Sequence, residues 1–228
     1  MIFTKTQAEQ QIEQLRIKYP DLVVLESNDS FIRLKGKILV HRVLNEFSLH
    51  QSYVIGINIP LNSDELPYIT DAENVIDSTY HHSYTNGQLC LETDSKIRIR
   101  FIDGFNLIEW MDEFVEPYFV SYEYYQLYGE FPNGERQHGI IGVIESYQDF
   151  FHAQDLTETY RFMIHIRDNA YRGHHLCPCG STLHLRSCHG KWMLPFYTDE
   201  RIKNIMLNDL QELERQLHES RQNQAKTK

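Results

Sequence analysis

Cysteine is scarce in this chain, with four in 228 residues. That is too few for the disulfide framework that staples small secreted domains, so reduced thiols and a cytoplasmic setting are expected. No apolar run approaches the ~18 residues that a membrane-spanning helix needs. The first fifteen residues, MIFTKTQAEQQIEQL, lack the basic-then-apolar layout of a signal peptide. Cationic side chains are outnumbered: Lys plus Arg is 22 against 32 Asp plus Glu, a formal charge of −10. An acidic chain repels phosphate backbones, which argues against general nucleic-acid binding. There is no Gly-x-Gly-x-x-Gly and no phosphate-binding Gly-Lys-Ser/Thr, so any ATP-dependent activation has to come from elsewhere. Internal repeats and extended low-complexity tracts are missing as well.

What remains is ordinary globular material: 41% apolar and 12% aromatic residues, enough to bury a sizeable core. Thr6-Gln7-Ala8-Glu9 has the form of a capping box, followed at helical spacing by Ala8, Ile12, Leu15 and Tyr19 and stopped by Pro20. Stretches 22–26, 31–44 and 53–60 are rich in β-branched and aromatic residues, with Asn28-Asp29 and Asn45-Glu46 as turn candidates. This predicts a helix followed by an antiparallel meander of three or four strands. Residues 61–100 read as irregular, 105–128 as helix kinked or split by Pro117, 131–139 as a loop, and 140–166 mainly as helix. From Thr198 a terminal helix carries Ile202, Ile205, Met206, Leu210, Leu213 and Leu217 on one side. That stripe calls for packing on the main domain or on a second copy. The last eight residues, RQNQAKTK, read as disordered. The fold class is α+β.

Three of the four cysteines fall within 177–189, CPCGSTLHLRSCH. Zinc prefers four tetrahedral S or N ligands, and two short ligand pairs joined by a tight turn supply them. Cys177 with Cys179 forms one pair, Cys188 with His189 the other, and Gly180-Ser181 turns the chain between them. So short a segment cannot order itself by burial, and the metal supplies the folding energy. His174, His175 and His184 read as solvated or supporting groups, because four ligands already close a tetrahedron. The run closely resembles the SEC-C motif, with its Cys-x-Cys-Gly-Ser, eight intervening residues, then Cys and His. The resemblance covers about fifteen residues and implies one structural Zn2+ with no open coordination position.

Cys90 stands apart, in the segment 80–91, YHHSYTNGQLCL. A lone cysteine near histidines is a candidate nucleophile, because the thiolate is the most nucleophilic common side chain near neutral pH. The bland reading is a buried cysteine in a plain core strand. His81 and His82 are the nearest candidate general bases. The order of helix, meander, the 53–60 strand, Tyr80-His81 and Gly87-x-Leu89-Cys90-Leu91 resembles a ubiquitin-conjugating (UBC-like) enzyme over residues 5–125. In that family a His-Pro-Asn segment precedes Gly-x-Ile-Cys-Leu, and the cysteine carries a ubiquitin-like protein as a thioester. The stretch from Trp110 through Phe150 is similar to divergent bacterial members with a SEC-C tail, which are associated with antiphage (CBASS-type) operons encoding a cGAS-like nucleotidyltransferase.

The resemblance implies Cys90 as nucleophile and, as partner, the nucleotidyltransferase or a ubiquitin-like protein. No nucleic acid or membrane is implied, and a homo-oligomer is left open. His82 and Ser83 replace the family's Pro and Asn, so a different group, Asn86 or His82, has to assist the oxyanion. The chain divides on this reading into a UBC-like domain with a helical extension at 1–170, the SEC-C motif at 171–195, and the terminal helix and tail at 196–228. Two other functions stay open: a non-catalytic binding module of the same fold, and a zinc adaptor linked to translation or secretion. The loop Gly134-Glu135-Arg136-Gln137-His138 reads as a solvated turn with an internal ion pair rather than as a border of the Cys90 site.

Overall fold

A computed structural model describes residues 2–44, 46–77, 79–84, 86–132 and 134–226. It is a mixed α+β structure with two compact units: Met1–Glu92 with Asp103–Glu135, and Thr93–Ile102 with Arg136–Lys228.

The first unit begins with α1 (Lys5–Lys18). Its capping box is built on Thr4, two residues ahead of the one expected: the Thr4 hydroxyl accepts from the Gln7 amide, and the Gln7 side chain accepts from the Thr4 amide at 3.0 Å. That start puts Phe3 before the cap and Ala8 at the fourth helical position, both buried, as a hydrophobic staple requires. Four strands follow: β1 (Val23–Ser27), β2 (Phe31–Leu44), β3 (Phe47–Pro60) and β4 (Tyr68–Asp71), in the order β1-β2-β3-β4 and antiparallel throughout. The β2–β3 ladder runs unbroken from Phe31 opposite Pro60 to Leu44 opposite Phe47. Ile32, Leu34, Ile38 and Val40 alternate inward on β2, and Tyr53, Ile55, Ile57 and Ile59 do so on β3. Full burial of each such aliphatic side chain contributes about 1.5–3 kcal/mol. The β1–β2 turn is set by the Asn28 side-chain oxygen, which accepts from the Ser30 and Phe31 amides. Of the second turn candidate, Asn45 lies outside the described residues.

The sheet is packed by α4 (Glu116–Tyr128), which the chain reaches through α3 (Leu107–Trp110), set against α1, and a π turn (Met111–Val115). The expected disruption at Pro117 takes the form of this π turn: the Glu116 amide reaches back to the Met111 carbonyl. The ladder widens just ahead of a ring that would otherwise strike the carbonyl four residues earlier. Gln11 ties α1 to the start of α3, donating to the Phe105 carbonyl and accepting from the Leu107 amide. Glu116 is buried, accepts from Tyr19 Oη at 2.6 Å and from Arg42 Nε at 2.5 Å, and has Lys18 at 3.5 Å.

The second unit is helical: α2 (Asp94–Arg100), α5 (Gly139–Phe151), α6 (Leu156–Asp168), α7 (Gly190–Thr198) and α8 (Glu200–Lys226). The helix expected over 140–166 is two helices. His152, at φ 55°, ends the first, and Asp155 caps the second by accepting from the Glu158 amide. Most of the α8 stripe is covered within its own unit, where Ile202, Met206, Leu210 and Leu213 share one buried cluster with α5, α6 and α7, while Ile205 is half-buried and Leu217 exposed. α8 runs on through Lys226, where composition predicts disorder; residues 227–228 lie outside the described range. Asp209, on α8, accepts from Ser95 Oγ at 2.5 Å and Tyr147 Oη at 2.6 Å, which ties α2 and α5 to α8.

These units cut the chain elsewhere than at residues 170 and 195. The Cys/His segment and the terminal helix share a core with α5 and α6, and α2 belongs to that same unit. No helix among the described residues is long and apolar enough to cross a membrane.

Candidate functional site

Cys90 closes a short hairpin that grows from the β4 edge. The Leu89 amide donates to the Ile69 carbonyl at 2.9 Å, and Leu89 is buried, which pins the hairpin to the sheet. Within it the Tyr84 amide donates to Gln88 O at 2.8 Å, Ser83 pairs with Leu89, and the Cys90 amide donates to His82 O at 2.9 Å. Gly87 sits at φ 80°, a conformation that turns the chain at little cost only for glycine. Thr85 lies outside the described residues. This register sets His82 opposite Cys90, and opposed residues in an antiparallel pair project to one face.

His82 and His81 differ in setting. The His82 side chain is 18% exposed and that of His81 65%. Tyr118 Oη donates to the His82 carbonyl at 3.1 Å, and the His82 ring meets Phe131 edge-on at 5.1 Å. Tyr80 is buried against His82, Tyr118, Tyr122 and Phe131, with ring centroids 5.0–5.9 Å apart. Burial raises the Tyr80 and Tyr118 hydroxyls well above the usual phenol range, with Glu135 adding to the rise at Tyr80. Both stay neutral and can donate. Cys90 is half-buried.

Glu135, expected in a solvated turn away from the cysteine, instead reaches both histidines. Its carboxylate lies 3.5 Å from His81 Nδ1 and 3.9 Å from His82 Nε2. Both histidine rings thus lie within ion-pair range of one carboxylate. The signal available in sequence is only an acid in a Gly-containing loop, which is commonplace. Asn86 is engaged in its own turn: its side-chain oxygen accepts from the Gln88 amide at 3.0 Å.

In the second unit, Cys177, Cys179, Cys188 and His189 converge, with their ligand atoms within 4.8 Å of one another. Cys177 Sγ is 3.4 Å and Cys188 Sγ 3.2 Å from His189 Nδ1, and Cys179 Sγ is 3.6 Å from Cys188 Sγ. A tetrahedral ion with bonds of ~2.3 Å to sulfur and ~2.0 Å to nitrogen separates its ligands by about 3.5–3.8 Å, so the group can hold a metal ion. The local chain explains the convergence. The Cys177 amide donates to Leu183 O and the Leu185 amide to His175 O, while Gly180, at φ 87°, reverses the chain between them. A 3-10 turn (Leu185–Ser187) then delivers Cys188 and His189 to the start of α7. Burial pushes the Cys177 thiol up. At Cys179 burial also raises, but it is outweighed by the Ser181 hydroxyl and amide and the neighbouring thiols, which hold that thiol down. His174, His175 and His184 lie outside the four-residue group.

The chain matches no protein-family model, no curated protein and no solved structure.

Proposed function

We propose that the first unit is a UBC-like enzyme that forms a thioester between Cys90 and the activated carboxyl terminus of a partner protein. The observation that carries this is the placement of His82 opposite Cys90 across a pinned hairpin, with Glu135 at 3.9 Å from His82 Nε2. In the forward step His82 takes the Cys90 proton, and the thiolate attacks the acyl carbon. The carbonyl electrons move onto oxygen, then return as the leaving group, a nucleotide phosphate or a carrier thiol, departs. Glu135 stabilises the imidazolium so formed. An acceptor amine then attacks the thioester and frees the thiolate, which takes back a proton. The donor reading follows the resemblance: the carboxyl terminus of a cGAS-like nucleotidyltransferase or of a ubiquitin-like protein, in bacterial antiphage defence. In the second unit the donor set of three sulfurs and one nitrogen suits Zn2+, a closed structural ion that supplies folding energy rather than chemistry.

The test is intact mass under non-reducing conditions after co-expression with the neighbouring genes. Wild type should carry a reductant-labile protein adduct, Cys90→Ala none, and Cys90→Ser a more persistent ester or none. His82→Gln should slow adduct formation roughly 100-fold. A wild type without adduct, together with full biological activity of Cys90→Ala, overturns the proposal. The binding-module reading then stands, and it draws on one observation: Asn86 is held in its turn and does not replace the family's Asn.

A further inference from the structure

β2 and β3 place two histidines directly across from each other, at His41 opposite His50. Both side chains are exposed on the outward face of the sheet, and their Nδ1 atoms are 2.9 Å apart with the rings edge to face at 5.0 Å. As neutral rings the two share one proton, one Nδ1 donating to the other. The flanking positions on the same face are Leu39, Val43, Ser48 and Ser52, and none of these four supplies a carboxylate.

We propose that His41 and His50 form a second metal site, for a divalent transition ion of octahedral or square-planar preference, Ni2+ or Cu2+ by chemical class. Two imidazole nitrogens at ~2.0–2.1 Å from one ion stand about 2.9 Å apart when they subtend a right angle, and about 3.3–3.4 Å apart at a tetrahedral angle. The observed 2.9 Å is a hydrogen-bond distance between the two rings, and it already lies within reach of cis ligands on a right-angled centre, the geometry that Ni2+ and Cu2+ accept. An imidazole-only donor set excludes Ca2+ and Mg2+, which take oxygen ligands. The scaffold is rigid where rigidity matters, because both residues lie inside a ladder that holds register over fourteen pairs. On binding, the ion replaces the shared proton, which shifts to Nε2 of the same ring. The remaining coordination positions go to water, so the site is open where the knuckle is closed. It does not depend on the thioester reading.

The experiment uses the full chain, loaded with zinc and desalted, and titrates NiCl2 by calorimetry; Ni2+ does not oxidise thiols. Wild type should take up one Ni2+ while retaining its zinc. Paramagnetic broadening should centre on the amides of residues 39–43 and 48–52. His41→Asn and His50→Asn should each weaken uptake roughly 100-fold, the loss expected when a chelating pair becomes a single ligand. The His174→Asn, His175→Asn double variant should bind as wild type does. Acidification should release the ion, because only neutral imidazole ligates. Should His41→Asn fail to fold, His50→Gln reads the same site. Uptake unchanged in the folded variants, or broadening centred elsewhere, overturns the proposal.

Discussion

The two units hold their Cys/His groups in place by opposite means. In the first, the core is an inward sheet face closed by aromatic helices, and the Cys90 hairpin is an addition at its edge, pinned by Leu89. In the second, the cluster is part of the core: Cys177 and Leu185 are buried among Phe162, Met193 and Phe196. The contrast teaches where each unit's stability resides. The hairpin meets the sheet through Leu89 and the β4 edge, whereas loosening the Cys/His segment exposes apolar surface from α6 and α7.

Metal removal should therefore break the contrast most visibly. Chelation, or Cys188→Ser, should abolish the cooperative melting of the helical unit while the sheet's own transition persists. Structural zinc supplies on the order of 10 kcal/mol to segments of this kind, comparable to the whole stability of a domain. Hydrogen exchange resolved by unit checks this. Loss of protection confined to residues 173–189 would return the knuckle to the independent module that sequence alone suggests.

In the first unit the matching weak point is Glu116. Glu116→Ala leaves Tyr19 Oη and Arg42 without their short partner, and should cost about 2–3 kcal/mol. That is below the usual figure for a buried pair, because Arg42 is more than a third exposed and keeps the Asp112 carbonyl at 2.9 Å. Denaturant melts should show the loss in the sheet transition only.

Asp209 gives the smallest effect, and one of distinctive sign. Burial raises its carboxyl above the ordinary value, and the Ser95 and Tyr147 donors only partly offset this. A carboxyl raised on folding binds its proton more tightly in the native state. Its contribution is thus full below the unfolded value and declines as pH rises through the folded one. Asp209→Asn should remove that decline. The difference between wild type and variant in the helical unit's denaturation midpoint, followed from about pH 4 to about pH 7, should change in the variant's favour as pH rises.

Much of this was legible. The β-branched and aromatic run over 31–44 marked β2 to the residue, and the spacing of Cys177, Cys179, Cys188 and His189 identified the group that converges. The start of β3 was missed because residues 47–52 are largely polar; pairing with β2, not composition, makes them strand. α2 was missed for the opposite reason. In Asp94–Arg100 apolar Ile97 and Ile99 alternate with Lys96, Arg98 and Arg100, a strand-like period that burial against α5 and α8 overrides. Glu135 was unreadable because its partners, His81 and His82, lie more than fifty positions away, and a lone loop carboxylate carries no spacing.

The path of the chain has a consequence for its making. α2 is synthesised in the middle of the first unit's sequence, yet it packs on α5 and α8, and its buried Ser95 donates to Asp209. Growing from the N-terminus, the chain can complete its sheet while α2 still waits for α5 and α8. A polypeptide interrupted before Asp209 leaves Ser95 without its carboxylate partner and Ile97 without the α8 side of its packing. Closure of the second unit thus waits until α8 has been made.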